Sequence, residues 1–218
     1  MNKTIIICCP GQSFTGKFLT SLTYLIRHLH SKGFKVLFST TFSRNIYEVR
    51  NKCLMGDPSK GPTQQVFNGQ DYDYILWLDD DIIFTPDDFE KLYKEDKDVI
   101  SGLYLMANGT QFASVEVWDE EFFQENGTFE FLNKQDISHR LLPFSVEYVG
   151  FGFLLFKKGI FEQLQYPWFE PTFLEIKDCI DFSMEDVTLC LKLRKLNIEV
   201  YVHPDVVVGH QKEVELRV

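Results

Sequence analysis

"YDYILWLDDDIIFTPDDFEKLY", residues Tyr72 to Tyr93, is the stretch that sets the fold. An apolar run from Ile75 to Leu78 ends in three consecutive acids, Asp79, Asp80 and Asp81. Thr85 and Pro86 then open a helix, because a threonine hydroxyl can cap a free backbone N–H and proline suits the first helical position. A strand that ends in acids and passes into a capped helix is one unit of an open α/β sheet. Such sheets bind their ligands beyond the carboxyl ends of the strands. Residues two apart on a strand point the same way, so Asp79 and Asp81 can face one site while Asp80 faces elsewhere. Two hard oxygen donors suit Mn²⁺ or Mg²⁺, and either ion can hold a diphosphate. Taken alone, a D-x-D pair is also compatible with a solvated acidic turn.

Similar units flank this one. Thr4 to Cys8 reads as a buried strand, and Gly16 to Ser31 as a helix with an apolar face of Leu19, Leu22, Ile26 and Leu29, stopping at Gly33. Lys35 to Thr40 is a second strand. Ser43 is the expected N-cap of a helix running to about Met55, and "GDPSKGP" (56–62) is a loop by composition. "DVISGLYLM" (98–106) supplies a fourth strand. This alternation predicts an α/β fold with a mostly parallel central sheet flanked by helices.

The texture changes after Asn108. "FASVEVW", "GTFEFLN" and "VEYVGFGFLLF" read as antiparallel strands, followed by an aromatic loop from Tyr166 to Phe173. A last helix from about Met184 is expected to bury Val187, Leu191 and Leu196. Residues 1–218 are read as a single domain whose two halves, 1–105 and 106–218, meet without a linker.

The formal charge of −10 provides no basic field for nucleic acid or an anionic membrane. A phosphate ligand of so acidic a protein calls for a bridging cation. Five cysteines (Cys8, Cys9, Cys53, Cys179, Cys190) are odd in number and lack C-x-x-C spacing, so they are expected to be reduced and mostly buried. No run is long enough for a signal or membrane segment, and a cytoplasmic location is expected. Of the sequons at Asn2, Asn108 and Asn126, the last two are Asn-Gly pairs that read as turns.

Gly11 to Lys17, "GQSFTGK", spells seven of the eight positions of a phosphate-cradling P-loop, and "ILWLDDD" imitates its magnesium-binding strand. The eighth position should carry a hydroxyl and carries Phe18, which cannot ligate Mg²⁺. An EF-hand loop counted from Asp79 fails because Phe84 stands where glycine is required.

Four segments in order resemble the family-2-like glycosyltransferases of the GT-A fold: "WLDDDIIFTPDDFEKL", "VISGLYL", "VEYVGFGFLLFKKGIFEQL" and "SMEDVTLCLKLRKLNIEVYVHPDVVVGH". The resemblance covers most of the chain, from the first strand to His210. A fainter resemblance is to the small glycosyltransferases of large algal DNA viruses, which would place the protein in a host cytoplasm.

The resemblance implies residues 1–105 as the nucleotide-binding half and 106–218 as the acceptor and catalytic half. Asp81, Asp79 and His210 would serve the metal, Asp79 also the ribose, and Asp80 would lie near the donor sugar. Pro10, Gly11, Gln12, Arg44, Arg50 and Asn51 would cradle the nucleotide. Gly150 and Gly152 would let a sugar approach the backbone. Asp186 matches the catalytic base, with Glu185 beside it. From its own chemistry the aromatic loop, Trp168 included, could stack sugar rings, whereas His28, His30, His139 and His203 are read as structural.

The implied activity is metal-dependent transfer of a sugar, with inversion, from a nucleoside-diphosphate sugar (UDP in first place). The acceptor hydroxyl would belong to a glycan, a glycoprotein or a small molecule. The rivals are a P-loop NTPase or kinase, a nucleotidyltransferase that makes nucleotide sugars, and a non-catalytic binding module.

Overall fold

In a computed structural model, which describes residues 3–212, the apolar runs of the first half become parallel strands. β1 (Thr4–Cys8) pairs with both β2 (Lys35–Ser39) and β3 (Tyr74–Leu78), with Ile5 opposite Val36 and Tyr74. β3 is buried on both faces, and for that reason it reads as a continuous apolar run with no alternation. α1 (Gly16–Ser31) and α2 (Ile46–Cys53) follow β1 and β2. The acidic turn then leads through β4 (Ile82–Ile83) into α3 (Pro86–Lys94) and β5 (Val99–Leu103). Thr85 caps α3 as expected, and Asp88 closes a reciprocal capping box.

The second half contributes β6 (Gln111–Val115), α4 (Glu120–Asn126), β7 (Phe131–Asn133), α5 (Lys134–Ile137), β8 (Phe144–Val146), β9 (Tyr148–Val149) and β10 (Phe153–Lys157). A hairpin of β11 (Phe173–Ile176) and β12 (Cys179–Phe182) precedes α6 (Glu185–Lys195), β13 (Val200–Val207) and β14 (Gly209–His210). The seven-stranded sheet runs β2-β1-β3-β10-β5-β13-β8. Its centre departs from the expected succession of parallel strands. β10 lies between β3 and β5 and is antiparallel to both, with Leu154 opposite Trp77 and Ser101. Gly150 to Gly152 splits the one strand expected from "VEYVGFGFLLF" into β9, which joins the small sheet with β6 and β7, and β10, which enters the large one.

Alternate side chains fill two layers. Ile5, Ile7, Leu76, Leu78, Phe153 and Leu155 pack with Leu22 and Leu25 of α1 and Phe89 and Leu92 of α3. On the other face Ile6, Cys8, Ile75, Trp77, Leu154 and Phe156 pack with Cys53 of α2, Leu189 and Leu193 of α6, and the aromatic loop.

Several helix faces are rotated from expectation. α1 buries Phe18, Leu22, Leu25 and Leu29 and leaves Leu19 exposed. α6 buries Leu189, Cys190 and Leu193, with Leu196 exposed, because its first turn also turns Glu185 and Thr188 inward. Asn45, and not Ser43, caps α2, accepting from the N–H groups of Tyr47 and Glu48. Asn126 leads into a left-handed C-cap at Gly127 that ends α4, a helix the strand pattern did not suggest. The sequon at Asn2 lies outside the described residues. All five cysteines are free, four of them buried. Among the described residues no helix is long and apolar enough to cross a membrane.

Candidate active site

Beyond the carboxyl ends of β1 and β3 lies a cleft of about 440 Å³. Its lining includes Pro10, Gly11 and Gln12, the three aspartates, Arg50 and Glu185, and Tyr104, His210 and Lys212. Gly11 is dictated by packing: a Cβ there would stand 2.6 Å from Asp80 Oδ2. Burial, reinforced by Asp81 and Asp79, raises the Asp80 carboxyl above its ordinary range.

Arg50 joins two of these carboxylates. Its side chain is only 4% exposed; Nη2 donates to Asp79 Oδ1 at 2.8 Å and Nε to Glu185 Oε1 at 3.4 Å. The guanidinium sits 5.2 Å from the Trp77 ring centroid and 5.0 Å from that of Phe151. Nη1 is buried with no hydrogen-bond partner. Arg50 thus brings an unmet, desolvated donor to the residues that line the cleft.

At the other end of the D-x-D pair, Asp81 Oδ2 lies 3.1 Å from His210 Nε2 and accepts from Lys212 Nζ at 2.8 Å. Burial alone would raise the Asp81 carboxyl, but these two hydrogen bonds outweigh it and hold it low. His210 Nδ1 is 2.6 Å from the Leu105 carbonyl, which fixes the ring. The antiparallel pairing of β14 with β4, His210 opposite Ile82, brings the far end of the chain to the acidic turn.

Glu185 and Asp186 open α6 but face different ways. Glu185 turns to Arg50 and the cleft, whereas Asp186 Oδ2 accepts from the Tyr148 hydroxyl at 2.8 Å, on β9 of the second half. Burial raises both carboxyls, and for Glu185 the adjacent Asp186 adds to the rise.

No family model and no curated protein sequence matches the chain. Solved structures do. Protein A197 from STIV superposes with a TM-score of 0.53 at 17% identity, over 99% of this chain and 97% of that one. GalNAc-T7 with UDP, GalNAc and Mn²⁺ gives 0.59 at 10% identity, over 98% of this chain but 44% of that one. A mutant Drosophila β-1,4-galactosyltransferase 7, complexed with manganese, UDP-Gal and xylobiose, gives 0.52 at 12% identity, over 98% and 72%. The chain has the GT-A glycosyltransferase fold.

Within the GT-A frame the residues expected at the site divide into two groups. Pro10, Gly11, Gln12, Arg50, Asp79, Asp80, Asp81, Glu185 and His210 share the cleft. The others are placed elsewhere, for identifiable reasons; Asp186, the expected base, is not among the cleft-lining residues and is turned to the Tyr148 hydroxyl. Arg44 is exposed and does not line the cleft. Asn51 is buried and holds the aromatic loop: its Nδ2 donates to the Phe169 carbonyl at 2.6 Å, and its Oδ1 accepts from Trp168 N at 3.0 Å. Trp168 is 1% exposed and belongs to the core, so it is no open platform for sugar. Gly150 and Gly152 make room for Tyr104, since a Cβ at either would stand 2.0 or 2.6 Å from its side chain. That ring in turn meets His210 edge-on at 5.1 Å.

Sequence reading missed Tyr104, Tyr148 and Lys212. Lys212 carried a signal, since it stands two residues beyond His210, the spacing at which strand residues share a side, and both side chains reach Asp81 Oδ2.

Lys17 is exposed and absent from the cleft, while Phe18 is fully buried, 5.4 Å from Phe14 and 6.3 Å from Phe84. The P-loop spelling is therefore a packing motif. Lys17→Ala should leave affinity for UDP within about threefold by calorimetry, whereas a P-loop lysine would be worth far more as a charged phosphate contact.

GalNAc-T7 and the galactosyltransferase were solved with Mn²⁺, and the donors in this cleft fit such an ion. Among the described residues no three His, Cys, Asp or Glu side chains form a closed cage. Asp81 and His210 nevertheless converge, and an ion used in phosphate chemistry commonly takes only one or two carboxylates and leaves positions for phosphate oxygens. A carboxylate with an imidazole suits Mn²⁺.

Proposed function

We propose that this protein transfers a sugar from a UDP-sugar to an acceptor hydroxyl. The observation that carries this reading is the convergence, in one cleft of a GT-A fold, of the Asp81–His210 pair with the buried Arg50 whose Nη1 lacks a partner. The UDP and Mn²⁺ held by GalNAc-T7, and the UDP-Gal and manganese held by the galactosyltransferase, support the choice of donor and ion.

Asp81 and His210 would hold Mn²⁺, which supplies positive charge against the leaving diphosphate. Arg50, fixed by Asp79 and Glu185, directs Nη1 at the nucleotide. The Pro10–Gln12 loop closes one side, and Asp80 flanks the donor sugar. Asp186, on the side of the second half, accepts the proton of the incoming hydroxyl as its oxygen bonds to the anomeric carbon. The bond from that carbon to the diphosphate oxygen breaks on the opposite face, which gives inversion through an oxocarbenium-like transition state. The acidic surface turns nucleic acid away, and the five free thiols favour the cytoplasm.

A thermal-shift series tests the reading. UDP with Mn²⁺ at ~100 times its dissociation constant should stabilise the protein by about 2.7 kcal/mol, and chelator should remove most of that gain. Larger stabilisation by ATP than by UDP would overturn it.

A further inference from the structure

Lys212 is bound to the carboxylate that the metal reading requires, on the oxygen facing His210. Gln211 N donates to the Asp81 carbonyl at 2.8 Å, extending the β14–β4 pairing, so the backbone beside Lys212 is fixed against the acidic turn. From there the lysine ammonium reaches Asp81 Oδ2 at 2.8 Å, the same oxygen that His210 Nε2 approaches at 3.1 Å. The Lys212 side chain is 46% exposed, so a flexible four-carbon stem can carry the charge elsewhere at little packing cost.

A dication placed between Asp81 Oδ2 and His210 Nε2 competes with the Lys212 ammonium for that oxygen, because two cations within a few ångströms repel in a partly buried site. A metal that takes Asp81 Oδ2 therefore weakens the hold on Lys212. Nearby carboxylates give the loosened ammonium no clear alternative. Asp79 is already paired with Arg50, and Asp80 Oδ2 lies against Gly11. A nucleoside diphosphate, however, carries more negative charge than one divalent ion cancels, and lysine is an effective point-charge partner for phosphate.

We propose that Lys212 is an exchangeable cation, which occupies Asp81 here and moves to the diphosphate when metal and nucleotide bind together. The proposal rests on the reading of Asp81 as metal ligand. It makes the two ligands cooperative: metal alone must compete with an ion pair, whereas metal with nucleotide gives the lysine a new partner. By linkage each then tightens the other by the same factor.

The test is titration of the whole protein with Mn²⁺, reading free Mn²⁺ by electron paramagnetic resonance, with and without UDP. Lys212→Met should bind Mn²⁺ alone on the order of tenfold more tightly, and the tightening produced by UDP should shrink by at least about fivefold, within the usual range of coupling between sites. Lys212→Arg, which keeps the charge, should stay near the parent on both counts. Either change in Lys212→Met without the other overturns the exchange, as does no change at all. Asp81→Asn separates this from the underlying reading. If that variant keeps full Mn²⁺ affinity, the metal assignment itself fails; if it loses affinity while Lys212→Met behaves as the parent, only the exchange fails.

Discussion

Asp186→Asn should slow sugar transfer to acceptor by about 10²–10⁴-fold, the usual contribution of a general base, while UDP and Mn²⁺ still bind. The expectation follows from where the two acids at the start of α6 point. Glu185 is committed to Arg50 in the cleft, whereas Asp186 meets Tyr148 on the side of the second half. Glu185→Gln is the control, and it should act through donor affinity more than through turnover. If Glu185→Gln abolishes turnover and Asp186→Asn spares it, the roles are exchanged. The pH profile supplies a second reading of the same group. A base works only when ionised, and burial raises the Asp186 carboxyl against the hydrogen bond from Tyr148 that lowers it. The rate should therefore rise with pH through a value above the ordinary aspartate range, and this acid limb should disappear in Asp186→Asn.

Arg50→Met should cost roughly 3 kcal/mol of stability, the lower end for breaking a buried ion pair, because Asp79 retains 29% exposure and part of its hydration. The loss comes less from the bonds removed than from the charge left behind, since Glu185 at 6% exposure would face Asp79 with no cation between them. For a chain of this size the melting temperature should drop by roughly 6–12 °C. UDP affinity should fall as well, because Nη1 is lost. A melting temperature within about 2 °C of the parent would show that the guanidinium does not neutralise these carboxylates.

The parts of the fold written locally were legible. Ile5 to Cys8 and Tyr74 to Leu78 announce strands by their apolar runs, and Thr85 with Pro86 announces α3 by cap chemistry. The insertion of β10 between β3 and β5 was not legible, because pairing partners about 75 residues apart leave no short-range mark. The aspartates could be chosen from chemistry and His210 from the family resemblance, but the environment of a side chain is a tertiary property. Trp168 could be read as core or as a sugar platform and is core; Asn51 looked like a nucleotide contact and is a brace for the loop beneath. Gly150 and Gly152 were expected to admit a sugar, and the space beside both is filled by Tyr104.

The antiparallel entry of β10 also governs the order in which the molecule can be assembled. As the chain leaves the ribosome, β1, α1, β2, α2 and β3 can associate as soon as they emerge, since each parallel pairing uses strands already made. β3 then presents an open, apolar edge that its sequential successor, β5, does not close. Some 75 further residues must be synthesised before Phe153–Lys157 arrives to fill the gap and join β5 to the growing sheet. Until then Tyr74–Leu78 is an unprotected strand edge, the kind of surface that recruits other chains. Because Gly152 supplies the carbonyl that receives Asp79 N at 3.1 Å, the acidic turn acquires its anchored shape only in that late step. An incomplete chain thus carries every aspartate of the cleft without the geometry to use them.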